Sequence, residues 1–438
     1  MGAGSIVAGI DADQIGSQAY DLISELYPIC RSITGEGCRE TLRILRKHVP
    51  LDLREVPTGT KVFDWVIPRE WNIRDAYIKN SEGKKVVDFN QSNLHVVNYS
   101  APVRAKLRLQ ELREHLFSDP IHPEWIPYRT SYYKEDWGFC VAHRQLTELP
   151  EGEYEVRIDS SLTEGQLTYG EYFLPGALSD EMLISCHICH PSLCNDNLSG
   201  IAVATFVAKH LAQIASRYSY RFLFVPGAIG PITWLAKNED CVNRIKHGLV
   251  LANLGDSGKS TYKKSRRGNA FIDRAVQAVL KHSGGDYEIF EFSPYGYDER
   301  QYCSPGFNLP VGLLARTPHG RFPQYHTSAD NLELVKPHCL ADSFSKVLAV
   351  VDMIEHNGKY LNTNPQGEPF LGKRNLYRTM GGFQDVKAEQ LAMLWVLNLS
   401  DGEHDLLDIC ERSGLAFTAI WMATQMLAKA DLLVSQDA

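Results

Sequence analysis

The stretch from Glu181 to Gly200, EMLISCHICHPSLCNDNLSG, decides how the rest of the chain is read. It opens as an apolar run, delivers His187 and His190, passes through a turn that holds Asp196, and enters an Ala- and Val-rich segment with helical character. Imidazole and carboxylate groups at the carboxyl end of a buried strand are how an α/β fold presents metal ligands or catalytic groups to a crevice. A metal site is therefore the first expectation.

Working outward, residues 165 to 358 alternate between strand and helix patterns. Strands are expected at 182–185, 221–225, 249–254 and 309–314, and helices at 198–214, 271–282 and 341–354. Such alternation implies an α/β fold built on a mostly parallel sheet with helices on both faces. Residues 13–48 read as two helices broken by the turn SITGEG at 32–37, packing on the same sheet. Between them and the sheet the texture changes to alternating aromatic and polar residues. DAYIKNSEGKKVVDF at 75–89 is a hairpin signature, with a turn at Asn80 to Gly83, and Leu107 to Phe117 is the one helical stretch. The expected organisation is an α/β domain at 13–58 and 160–360, with an inserted all-β domain at 59–159. After a connector, a helix at 388–397 and the helix-turn-helix spacing of 401–433 point to a winged-helix domain at 372–438.

Composition bounds the function. The 438 residues are 44% hydrophobic and 22% charged, with a net charge of −8, which argues against a nucleic-acid or membrane partner. The helix-turn-helix region agrees: residues 386–438 hold three Lys or Arg against eight Asp or Glu, so protein contacts or homo-oligomer formation through this domain are expected instead. No apolar stretch of membrane-spanning length and no signal core is present. Ten dispersed cysteines do not form a disulfide framework, so the expected location is cytoplasmic.

The candidate metal ligands are His187, Asp196, Asp256 at the end of LVLANLGD, and His326 in PQYHTSADN. Asp196 could simply cap the following helix, but Asn195 and Asn197 already supply that chemistry. Four hard or borderline ligands at strand ends of one sheet fit Zn²⁺. His190 is placed in the surrounding shell, holding a ligand in its tautomer. Cys186, Cys189 and Cys194 lack a second Cys or His pair for a zinc knuckle and read as small buried residues.

Two other motifs compete. GDSG at 255–258 matches a serine-protease nucleophile segment but lies in α/β surroundings. NLGDSGKST at 253–261 is one residue short of a phosphate-binding loop, which would make the Gly255 to Thr261 segment a nucleotide site. That reading requires a helix to begin at Lys259-Ser260, and YKKSRRGN has no apolar face.

The segments SITGEGCRETL, VFDWVIPREW, LHVVNYS, TSYYKEDWGFC, HICHPSLCNDNLSG, TYKKSRRGN, DERQYCSPGFNLPVG, YHTSADN and LWVLNLSDGEHDLLDI occur in this order. Together they resemble a bacterial aminopeptidase-like family with a zinc-exopeptidase fold, a β-rich insertion and a C-terminal winged helix, related to dizinc aminopeptidases and glutaminyl cyclases. The resemblance implies that His187, Asp196 and Asp256 hold one zinc, and that Asp196 and His326 belong to a second site. It also implies a Glu general base and a second-zinc Glu after the 221–225 strand. This chain has Pro226-Gly227-Ala228 there, and neither Gly nor Ala can do that chemistry.

One zinc is therefore expected, with two as the alternative. Loss of a positioned base costs about 10²- to 10⁴-fold, so either hydrolysis is altered or a non-hydrolytic acyl transfer on a small amide, aminoacyl or peptide substrate replaces it. Glu299 in YGYDERQY and Glu135 in KEDWG are the replacement catalytic carboxylates, and Arg300, Arg316 and Tyr325 the substrate-binding candidates. The alternative is a catalytically inactive homologue that serves as a binding or scaffold protein.

Overall fold

The computed structural model describes residues 6, 7, 9–376 and 384–436. The chain divides into two compact units, one of Asp11–Gly268 and Glu288–Ser345, the other of Asn269–Tyr287 with the N-terminal segment and the chain from Lys346 onward.

An eight-stranded sheet organises the first. Its order is Asp52–Pro57, Gln166–Leu174, Ser219–Val225, Glu181–His187, Ile245–Leu251, Val311–Ala315, Ser260–Lys263 and Tyr287–Phe290. The run from Ser219–Val225 through Val311–Ala315 is parallel. The flanking strands Asp52–Pro57, Gln166–Leu174 and Ser260–Lys263 pair antiparallel. The expected parallel sheet is thus its centre, and the sheet as a whole is mixed. All seven residues of Glu181–His187 are buried, as an apolar run covered on both faces must be. Helix Gly200–Leu211, buried at all but two of its twelve residues, packs on this strand.

Residues 70–163 hold a separate antiparallel sheet, ordered Lys85–Asp88, Glu70–Lys79, Glu153–Thr163 and Val103–Arg108. Its apolar face, with Ile78, Val87, Tyr154, Val156 and Ile158, closes over Leu109, Leu112 and Phe139. The helical stretch expected at 107–117 shortens to Leu109–Leu112 and a 3₁₀ turn at Arg113–His115.

In the second unit, helices Gln384–Leu399, Leu406–Ser413 and Phe417–Lys429 accompany a three-stranded sheet of Asp401–Asp405, Lys359–Asn362 and Leu433–Ser435. Asp405 caps the middle helix by accepting from Asp408 N, and Gly414 ends it in the left-handed conformation. The middle strand of this sheet, Lys359–Asn362, precedes residue 372 in the chain.

Candidate metal and catalytic centre

The turn after Glu181–His187 is built so that Asp196 has no structural duty of its own. Asn197 Oδ1 accepts from Gly200 N at 3.2 Å and caps the helix. Asn195 bonds to the next strand's loop, donating to Asp256 Oδ2 at 2.9 Å and accepting from Gly255 N at 2.9 Å. Asp330 clamps the turn from outside, its oxygens accepting from Asn195 N at 2.6 Å and Asp196 N at 3.0 Å. Burial pushes the Asp330 carboxyl up to about 8.

Asp196 is left facing imidazoles. Its Oδ1 lies 2.9 Å from His187 Nε2 and its Oδ2 lies 3.0 Å from His326 Nε2. His187, His190 and Asp196 each offer a ligand atom within 4.8 Å of the others. The His190 ring is 4.8 Å from that of His187 and 5.1 Å from that of His326. Burial opposes the charged forms throughout. At Asp196 the three imidazoles outweigh burial and hold the carboxyl well below its usual range. At His187 the Asp196 hydrogen bond and charge outweigh burial and raise the imidazole. At His190 burial wins, keeping the ring neutral and fit to donate a lone pair.

The expected ligands do not all converge. His187, Asp196 and His326 meet, and His190, expected behind them, joins the group. Asp256 is engaged elsewhere: its carboxylate accepts from Asn195 Nδ2, Gly258 N, Thr317 N and Thr317 Oγ1. At the mouth of the same strand stands Asn253, which sequence reading passed over. Its Nδ2 donates to Tyr297 Oη at 2.7 Å, while its buried Oδ1 has no donor.

Of the candidate catalytic carboxylates, Glu135 is exposed and ion-paired with Arg69 at 2.6 Å, remote in character from a buried acid or base. Glu299 is buried and paired with Lys263. The carboxylate beside Pro226-Gly227-Ala228 is instead that of Asp298, the residue preceding Glu299. It is 3% exposed, and its Oδ1 accepts from Ala228 N at 2.9 Å while Oδ2 has no donor. Burial raises its carboxyl to about 6, against the pull of His187. Gly227 adjoins His187 directly, since a Cβ there would lie 3.6 Å from His187 Cβ and 3.2 Å from Cys189 Sγ. Only the sequence neighbourhood YGYDERQY pointed towards Asp298, because the contact spans 70 residues.

Aromatic rings wall the site. Tyr297 stacks on His187 at 5.2 Å and Tyr325, an expected substrate residue, on His326 at 3.9 Å. Tyr128 packs edge-on against His326 and beside His190, and its N–H donates to the His326 carbonyl at 2.7 Å. The segment that carries the antiparallel sheet thus supplies part of the wall. Arg316 is held by Asp342, and Arg300 keeps a buried Nε without an acceptor. Ser192, Ala228, Asn253 and His326 all have positive φ, between 41° and 61°. Such backbones cost about 1–3 kcal/mol each and gather where a site is held in a set geometry.

The phosphate-loop alternative lacks the helix it requires. After Gly258 the chain enters strand Ser260–Lys263, paired to Val311–Ala315, so no helix N-terminus forms at Lys259-Ser260. Lys259 pairs with Glu288 at 2.7 Å. Cys186, Cys189 and Cys194 are buried, in keeping with small core residues.

Comparison with known proteins agrees with this architecture. The chain is 52% identical over 423 residues, 97% of each chain, to a Clostridium acetobutylicum protein described as a polysaccharide biosynthesis protein with an aminopeptidase-like domain. A crystal structure named as a peptidase from the same organism superposes with a TM-score of 0.93, at 50% identity and 97% coverage of both chains. A zinc aminopeptidase of Bacillus subtilis shares the fold at a TM-score of 0.55 and 13% identity, over 77% of this chain and 94% of that one. Residues 358–435 match a winged helix-turn-helix model. Residues 20–357 match the family described as a domain of unknown function, DUF4910, and with that match the chain belongs to this family, an aminopeptidase-like fold followed by a winged helix.

Proposed function

We propose that this chain is a zinc-dependent enzyme acting on the carbonyl of a small amide, aminoacyl or peptide substrate. The observation that carries the reading is the buried carboxylate of Asp298, standing at the backbone of Gly227-Ala228 beside a cluster of three imidazoles around Asp196. The donor set is what borderline Zn²⁺ prefers, nitrogen with a carboxylate oxygen, and both Asp196 oxygens already face ring nitrogens. His187, His190 and Asp196 would hold the ion, with His326 on the second oxygen of Asp196. A bound zinc would polarise the substrate carbonyl and acidify water at neutral pH.

The chain's own groups then have distinct work. Asp298, fixed through one oxygen, offers the other to accept and return a proton in place of the absent Glu. Tyr128, Tyr297 and Tyr325 exclude water and flank the substrate, which strengthens every charge interaction in the site. The peptidase name of the Clostridium acetobutylicum structure and the fold shared with a zinc aminopeptidase support the same reaction class. A second reading, a non-catalytic binding protein, draws on the missing carboxylates at Gly227 and Ala228.

Turnover of aminoacyl amides by the zinc-loaded protein separates the two readings, with mass spectrometry telling hydrolysis from cyclisation or transfer. Asp298→Asn is expected to lower kcat about 10²- to 10⁴-fold while zinc stoichiometry is unchanged. Full activity in that variant would remove Asp298 from the reaction, and a wild-type protein that holds no zinc would sink the metalloenzyme reading.

A further inference from the structure

The segment from Glu291 to Tyr297 forms neither strand nor helix, and Ser293 to Tyr295 are exposed. Such a run has no ladder to set its path, yet it leads into Tyr297, which stacks on His187, and Asp298, which meets Ala228 N. An ammonium anchors it. Lys263, the last residue of strand Ser260–Lys263 and 8% exposed, donates from Nζ to the carbonyls of Ser293 at 3.2 Å and Tyr295 at 3.0 Å. The same ammonium is ion-paired with the carboxylate of Glu299, which is wholly buried and opens the short helix Glu299–Tyr302. One group thus ties the chain down on both sides of Tyr297-Asp298. Gly296 passes so close to the pair that a Cβ there would collide with both Lys263 Nζ and Glu299 Oε1.

We propose that Lys263 and Glu299 are positioning residues, an ion pair that sets where Tyr297 and Asp298 stand against the imidazole cluster; this rests on the reading of Asp298 as the proton carrier. Stability alone does not account for the pair, because desolvation offsets the attraction of two buried charges and apolar side chains of the same size do as well. What an ammonium does and an apolar chain cannot is hold carbonyl oxygens. Of its three donors, two go to the loop. Asp298 is fixed through one oxygen only, so its free oxygen is aimed by the backbone that carries it. A reacting group misplaced by about 1 Å can cost roughly 10²-fold in rate, which is why that backbone needs an anchor.

The test replaces the pair as a unit, Lys263→Met with Glu299→Leu, since Lys263→Met alone would leave a buried carboxylate unpaired. The first readout needs no turnover: amide hydrogen exchange by mass spectrometry over residues 226–229 and 291–298. Both segments are expected to exchange faster in the double variant, while strand Glu181–His187 and the zinc content stay as in wild type. Gly296→Ala, which crowds the pair without removing either charge, is expected to show the same pattern in smaller measure and serves if the double variant does not fold. The second readout is kinetic. With aminoacyl amides kcat is expected to fall about tenfold or more with KM nearly unchanged. That loss should disappear when the pair is replaced in an Asp298→Asn background, where no proton carrier is left to misplace. Unchanged exchange in both segments overturns the proposal, and so does a kcat loss that persists in full beside Asp298→Asn. Full activity of Asp298→Asn by itself would instead remove the proton-carrier reading, and the exchange result then decides whether the pair sets the loop.

Discussion

At Asp256 four protein donors meet two carboxylate oxygens, whereas at Asp196 the oxygens meet only imidazole nitrogens. On that difference in partners we propose that Asp256 serves the loop and Asp196 the centre. Asp256→Asn is therefore expected to keep zinc stoichiometry while lowering stability by about 1–3 kcal/mol, since an amide nitrogen would oppose the Thr317 and Gly258 donors. Metal analysis and urea unfolding of the variant check both halves; loss of zinc would make Asp256 a ligand after all. In the sequence, His187, Asp196 and His326 were legible as candidates because each follows a strand or precedes a helix in a recognisable pattern. Asp298 was not, because a carboxylate brought to Gly227-Ala228 by tertiary packing leaves no local pattern. Asn253 was missed for a related reason, as an amide reads as a turn residue until its Oδ1 is found without a donor.

Among elements, legibility followed burial. The central strands are apolar runs buried on both faces, and they stand out in sequence. Asp52–Pro57, at the edge of the sheet, need bury only one face, and Gln166–Leu174 beside it is interrupted by Gly170 and Glu171, so neither was recognised. Ser260–Lys263 was hidden by its resemblance to a phosphate loop, although all four of its residues are buried. Its packing yields a prediction at this scale. Tyr262 lies across Gly312 of the neighbouring strand, where a Cβ would fall 2.0 Å from the Tyr262 hydroxyl oxygen. Gly312→Ala must push the ring or the strand aside, and overpacking of this kind costs about 1–3 kcal/mol. A fall in the urea midpoint with an unchanged m-value is expected, and an unaltered midpoint would mean that the strand pair yields freely.

The stability of the whole molecule should register both protons and metal. Burial lowers His247 to about 4, so the folded protein holds it neutral while an unfolded chain takes up a proton near pH 6.5. Because the folded value is depressed, its contribution is complete above pH 6.5 and is lost as pH falls towards 4, by roughly 3 kcal/mol at most. His247→Gln should flatten that part of the unfolding profile; a profile identical to wild type would remove His247 as its source. Metal acts in the opposite direction on the same balance. A site with three imidazoles and one carboxylate exists only when the fold brings 187, 190, 196 and 326 together, so an ion bound there favours the folded state by mass action. With free zinc at 100 times its Kd the gain is about 2.7 kcal/mol, which a thermal scan reads as a rise of several degrees that a chelator reverses. The rise should shrink as pH drops below about 6, because protons compete for the imidazole lone pairs. It should vanish in Asp196→Ala, where the shared carboxylate is gone. A zinc-dependent rise of the same size in that variant would locate the ion somewhere else on the molecule and separate the metal from the imidazole cluster.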